Sequence, residues 1–182
     1  NKLPNHEIIK KNLHKIKKIR NVYLIDNNLN SKITTLSNIK SKKQNIHFVY
    51  DDLVSAKKLF KIKNIDVLIH LASITDAQNS VGKEDFYEKN NLGCFQNVVK
   101  YCSKNKTKLI HISSTSVYGD QSEIVTEESK FLKPQSPYAD IKLKEERILK
   151  KKSKEIKYIS LRFGTISGVS PGMRFHTAVN RF

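Results

Sequence analysis

The sequence predicts an α/β protein built on a doubly wound parallel sheet, and three observations carry that expectation. Short apolar runs recur along the chain, and helical patterns separate them. A serine-rich strand end, Ile110-His111-Ile112-Ser113-Ser114-Thr115-Ser116, precedes Ser136-Pro137-Tyr138-Ala139-Asp140-Ile141-Lys142. Strands buried on both faces read as continuous apolar runs, and strands that alternate with helices pair in parallel.

Taken in order, a helical pattern covers residues 6–19, and Val22-Tyr23-Leu24-Ile25-Asp26 reads as the first strand. Ile46-His47-Phe48-Val49-Tyr50 is the second, and a helix is expected over 53–63. A strand at Ile65 to Leu71 leads into a helix over 84–104, then a strand from Lys108 to Ile112. Ser136 and Pro137 fit an N-cap followed by a first-position proline, so a helix should run over 137–152. Tyr158 to Arg162 is the last strand, and from Gly164 onward the chain is punctuated by Gly, Ser and Pro.

A length of 182 residues and 21.0 kDa fits one domain with its own core. The apolar residues, 38% of the chain, cluster in runs, which disorder does not give. No run approaches the roughly 20 apolar residues of a membrane span, and Asn1 to His6 hold no apolar signal core. Cys94 and Cys102 share one expected helix and read as buried thiols rather than a bridge, which points to a reducing cytoplasm. Lys+Arg 34 against Asp+Glu 17 gives a formal charge of +17. A nucleic-acid partner is the sharp explanation, but the lysines are spread along the chain and arginine is scarce. Nothing interleaves Arg, Gly and aromatics as base-stacking surfaces do, so solvated faces explain the charge better.

The chemistry sits at Tyr138 and Lys142. Residues four apart share one helix face, so phenol and ammonium can point into one cleft, where the cation favours the phenolate. Alone, Y-x-x-x-K is common in lysine-rich helices; joined to the Ser114 strand end it is specific. The Ser114 hydroxyl can orient a substrate alcohol or carbonyl. His111, inside a strand, reads as a satisfied core histidine, and Tyr118-Gly119 as a turn.

These residues resemble the extended short-chain dehydrogenase/reductases, in particular the NAD-dependent nucleotide-sugar epimerases and dehydratases, over nearly the whole chain. The resemblance implies a Rossmann-like fold, with a partial NAD-binding domain over 1–163 and the start of a substrate-binding region over 164–182. It implies NAD as cofactor and no metal. Asp26 matches the acid that grips the adenosine ribose, with Asn27 following, and an acid there disfavours a 2′-phosphate. Asp52-Leu53 falls at the adenine, although Asp52 also suits an N-cap for 53–63. His70-Leu71-Ala72-Ser73 is similar to the H-x-A-A strand end along which the cofactor lies. Asn90-x-x-Gly93 with Asn97 matches the central helix motif. Ser114, Tyr138 and Lys142 match the catalytic triad, with Ile112 and Phe163 beside the cofactor. Thr75, Ser114, Thr115, Thr165 and Asn180 fall at the nucleotide-sugar site.

The resemblance implies that Tyr138 takes a hydroxyl proton while a hydride passes from a sugar ring carbon to NAD. Ser114 holds the same oxygen, and Lys142 holds the nicotinamide ribose. Return of the hydride to the other face is epimerisation. Dehydratases place an acid/base pair after the triad serine, whereas Thr115-Ser116 stand here, which favours an epimerase or reductase. A homodimer through the helices at 84–104 and 137–152 is also implied. The alternative is a non-catalytic dinucleotide- or nucleic-acid-binding module on the same fold. Two departures stand out. The phosphate-binding glycines belong roughly 20 residues before the ribose acid, near His6, yet no glycine precedes Gly82. Thr165 also stands where many relatives carry Asn. The expectation is a piece of a longer enzyme, without the first strand and Gly-rich loop, binding NAD weakly by itself.

Overall fold

The computed structural model describes residues 20–27 and 45–168, so the helical pattern at 6–19 and Asn180 lie outside it. The described chain falls into two compact units. One holds residues 20–27, 45–50 and 165–168, and the other Asp51–Gly164.

In the first unit, strands β1 (Asn21–Asp26) and β2 (Asn45–Tyr50) pair in parallel, from Asn21 opposite Asn45 to Asp26 opposite Tyr50. The Tyr23 ring stacks on its register partner His47, centroids 4.7 Å apart. In the second unit, β3 (Val67–His70), β4 (Lys108–Ser114) and β5 (Tyr158–Phe163) form a parallel sheet in the order β3-β4-β5. All five expected strands are present, β4 running on to Ser114.

The helix expected over 84–104 is present but interrupted. Helix α1 (Glu84–Tyr87) passes through a π turn at Glu88–Leu92 into α2 (Gly93–Asn105). Helix α3 (Pro137–Lys151) begins where its cap predicts, the Ser136 hydroxyl accepting the Ala139 N–H at 3.2 Å. α2 and α3 cover the sheet face that carries His70, His111, Ser113 and Arg162. The Phe95 ring of α2 lies 5.6 Å from the ring of His70 and 4.9 Å from that of His111. Phe95, Val98, Tyr101, Cys102, Leu109, Ile141 and Leu149 are buried around it, each such side chain contributing about 2 kcal/mol. On the opposite face Val67, Ile69, Ile159 and Phe163 are exposed.

The expected helix over 53–63 does not form. Asp52 Oδ1 accepts the Val54 N–H at 2.9 Å and closes a single turn. Asp51 Oδ2 takes the N–H groups of Lys58 and Leu59, both at 2.8 Å, and starts a separate 3₁₀ turn at Leu59–Lys61. Between them Ala56 sits in the left-handed region, φ 50°. Two carboxylates thus supply the donors with acceptors that a continuous helix would have supplied. Asp52 caps, but it caps a turn. Cys94 and Cys102 are free and buried as expected, and burial pushes the first thiol up to about 11 and the second to about 12. Among the described residues, no helix is long and apolar enough to cross a membrane.

Candidate active site

The segment after β3 carries Leu71, Ala72, Ser73 and Thr75, and the π turn fixes its backbone. Asn91, wholly buried, accepts the Ile74 N–H on Oδ1 at 2.8 Å and donates from Nδ2 to the Ile74 carbonyl at 3.0 Å. Asn90 Nδ2 in turn donates to Asn91 Oδ1 at 3.0 Å. Asn91, which the sequence motif did not single out, therefore holds this backbone, with Asn90 bonded to it. Further along, Asn97 Nδ2 donates to the carbonyls of Leu53 and Val54 at 3.0 and 2.8 Å, locking the Asp52-Leu53 turn against α2.

Ser114 is the last residue of β4, as expected. Its Oγ accepts from the N–H and the hydroxyl of Ser116 at 3.2 and 2.8 Å, which leaves its own proton to donate elsewhere. Thr115 follows, exposed, its hydroxyl donating to the Phe163 carbonyl at 3.5 Å. Tyr138 lies in the first turn of α3, and its N–H donates to the buried Ser80 hydroxyl at 3.3 Å. One turn on, the ammonium of the buried Lys142 lies 5.8 Å from the Tyr138 ring centroid. Phenol and amine share one face, as the spacing predicts.

Helix α3 is the crossover between β4 and β5, so it runs back antiparallel to them. Glu145 of α3 contacts His111 of β4. From that contact, the helix back to Tyr138 rises about 10 Å, and the strand on to Ser114 rises about 10 Å. Tyr138 is thus level with the Ser114 rim of the sheet.

Two carboxylates that sequence reasoning missed hold α3 in place. Glu145 Oε2 accepts from Lys142 Nζ at 2.9 Å and from His111 Nε2 at 2.8 Å. Burial pushes the Glu145 carboxyl up, but the His111 bond and the Lys142 charge outweigh it and hold the group below the usual carboxylate range. Glu146 takes the Ser113 hydroxyl at 2.6 Å and a forked bond from Arg162. Its own burial is likewise outweighed, by Arg162 and Ser113. The three- and four-residue spacings from Lys142 were the available signal, since both put an acid beside it on the helix. His111 is the satisfied core histidine expected, with Ser160 Oγ at 2.8 Å from Nδ1.

Of the other expected site residues, Asp26 ends β1 at the surface and Asn27 follows, half-buried. Asp52 is exposed, and Leu53 is buried beneath its turn. Ala72, Ser73, Thr75, Asn90 and Ile112 are half-buried, whereas Leu71, Phe163 and Thr165 are exposed.

Residues 14–182 match the NAD dependent epimerase/dehydratase family. A UDP-glucose 4-epimerase of Yersinia enterocolitica is 33% identical over 139 residues, 72% of this chain and 41% of the relative. Among solved structures, a UDP-N-acetylglucosamine 4-epimerase of Methanobrevibacter ruminantium M1 in complex with UDP-N-acetylmuramic acid superposes with a TM-score of 0.75. The two are 28% identical, over 87% of this chain and 51% of that one. A UDP-glucuronic acid 4-epimerase of Bacillus cereus in complex with UDP-glucuronic acid and NAD gives 0.71 at 32% identity, over 86% and 52%. The chain spans about half the length of the curated relatives it matches. A parallel sheet with Ser114 at its rim, a capped Tyr138–Lys142 helix beside it and a match over residues 14–182 lead to one conclusion: the chain belongs to the NAD dependent epimerase/dehydratase family.

Proposed function

We propose that the full-length protein is an NAD-dependent epimerase of a nucleotide sugar, with Tyr138 as acid/base, Ser114 as the hydroxyl that holds the reacting oxygen and Lys142 as the neighbouring cation. One observation carries the reading: capped α3 holds Tyr138 and Lys142 on one face, 5.8 Å between ammonium and ring centroid, level with Ser114.

The residues suit NAD. In the first unit, Asp26, the last residue of β1, is an acid of the kind that takes a ribose diol; in the second, the Lys142 ammonium has three donors, of which Glu145 takes one. The Asp52-Leu53 turn, the Leu71-Ala72-Ser73 segment, Ile112 and Phe163 complete the proposed cofactor contacts. When bound, NAD supplies a reversible hydride acceptor. Tyr138 Oη takes the proton of a sugar hydroxyl, and Ser114 donates to that oxygen as it becomes a carbonyl. Thr75 and Thr115 are the proposed sugar-nucleotide contacts of the second unit, and Thr165 is assigned to the same ligand by the family resemblance. Thr115-Ser116 offer hydroxyls where elimination of water would need a carboxyl group, so epimerisation is favoured over dehydration. The UDP-sugar 4-epimerases among its relatives support a UDP-linked substrate. A homodimer in a reducing cytoplasm, in keeping with two free thiols, completes the proposal.

The test is conversion of UDP-galactose or UDP-glucuronic acid by the full-length protein with NAD, followed by NMR of the sugar. The expected product is the C4 epimer, and Tyr138→Phe should lower turnover by a factor of about 10³. A 4-keto-6-deoxy product, or unchanged turnover in Tyr138→Phe, overturns the reading.

A further inference from the structure

The proposed reaction uses Lys142 but gives no part to the acid that grips it. Glu145 is wholly buried and lies three residues after Lys142 on α3. One oxygen, Oε2, accepts from Lys142 Nζ at 2.9 Å and from His111 Nε2 at 2.8 Å. An ionised carboxylate only accepts, so Nε2 carries the imidazole proton, and Nδ1 accepts the Ser160 hydroxyl at 2.8 Å. The chain Ser160–His111–Glu145–Lys142 thus runs from β5 through β4 to α3 and ends beneath the Tyr138 ring.

Glu145 acts there in two ways. Lys142 is a flexible point charge, and the bond to Glu145 fixes where it stands. A buried negative charge 2.9 Å from Nζ also offsets the field that the ammonium exerts on the phenol. Other groups face the same acid: His70 from β3, whose charged form burial disfavours, and Cys94 from α2, which stays a thiol. Between about pH 5 and pH 10 neither changes its charge, which leaves the Lys142 ammonium as the charge that balances Glu145, with His111 as its hydrogen-bond donor.

We propose that Glu145 is a positioning residue of the Tyr138–Lys142 pair: it anchors the ammonium under the ring and, through its charge, sets how strongly that ammonium favours the phenolate. The inference rests on the acid/base reading of Tyr138.

The test compares Glu145→Gln and Glu145→Asp with the unsubstituted full-length protein in two measurements. The first is phenolate absorbance near 295 nm in the cofactor-free protein, with the Tyr138→Phe signal subtracted to isolate Tyr138. The second is UDP-galactose turnover with NAD across pH. Removing the negative charge leaves Lys142 uncompensated, so Glu145→Gln should move both the phenolate midpoint and the acid limb of turnover down by about one pH unit. Glu145→Asp should restore them. Should Glu145→Gln fail to fold, His111→Leu/Glu145→Leu replaces the buried pair by apolar side chains and carries the same expected shift. An unmoved midpoint in the folded variant, with only thermal stability lowered, overturns the inference and makes Glu145 structural. Unchanged turnover in Tyr138→Phe is a different result, which overturns the acid/base reading itself.

Discussion

Arg162 and Glu146 close a two-pronged ion pair between β5 and α3, Nε to Oε1 at 2.9 Å and Nη2 to Oε2 at 2.7 Å. Both side chains are largely buried, and the guanidinium also stands 4.8 Å from the centre of the Tyr118 ring. The carboxylate beside it raises the Arg162 pKa above its ordinary value, so this charge is permanent. Glu146→Ala leaves the guanidinium without its partner, and we expect a loss of about 3 kcal/mol. Arg162→Lys keeps the charge but loses fork and stacking, for about 2 kcal/mol. Urea unfolding decides; wild-type midpoints in both variants would contradict the role given to the pair.

His70 sets the acid side of the stability profile. Burial lowers its pKa to about 4, and its Nε2 has no hydrogen-bond partner. Below the unfolded value of 6.5 the unfolded chain takes a proton that the native state refuses until about 4. Stability should therefore fall as pH drops through that window, by up to about 3 kcal/mol. Glu145, held below its ordinary range, adds a second loss at lower pH as its carboxylate is protonated. His70→Phe should flatten the first window and leave the second, which melting temperatures from pH 7 to pH 3 would show.

Two glycines with positive φ should respond differently to alanine. A Cβ on Gly119, φ +68°, would meet the Lys133 carbonyl oxygen at 1.8 Å, where the chain returns to bond Tyr118. A Cβ on Gly82, φ +76°, would meet nothing within 4 Å. Gly119→Ala should cost more than about 3 kcal/mol, and Gly82→Ala only about 1 kcal/mol for the left-handed backbone. Comparable melting temperatures for the two would refute the steric argument.

Asn91 offers a fourth stability test. Asn91→Ala orphans both polar groups of Ile74, for about 2 kcal/mol. Asn91→Asp keeps the acceptor but not the donor and should fall between alanine and wild type. Faster amide exchange at Ile74 in Asn91→Ala, and protection retained there in Asn91→Asp, is the specific readout.

What the sequence disclosed was what neighbouring residues decide. The α3 start was legible because Ser136 and Pro137 are themselves the cap, and the strands because their apolar runs are local. The stretch 53–63 misled because Leu53, Leu59 and Phe60 have helical spacing, while the acceptors that end the helix are the side chains of Asp51 and Asp52. Tyr138 and Lys142 were legible from one helix. Glu145 and Glu146 had only their spacing from Lys142 to show them, because their other partners, His111, Ser113 and Arg162, arrive from β4 and β5.

The π turn at Glu88–Leu92 makes the count of residues there as binding as their identity. It accommodates one surplus residue, and excising one would let an unbroken α-helix form while rotating everything on one side by about 100°. Either the amide of Asn91 would swing off Ile74, or Phe95 would leave its place between two imidazoles. Length variation in this family member should therefore be tolerated at the surface turns around Gly82 and excluded from Glu88 to Leu92.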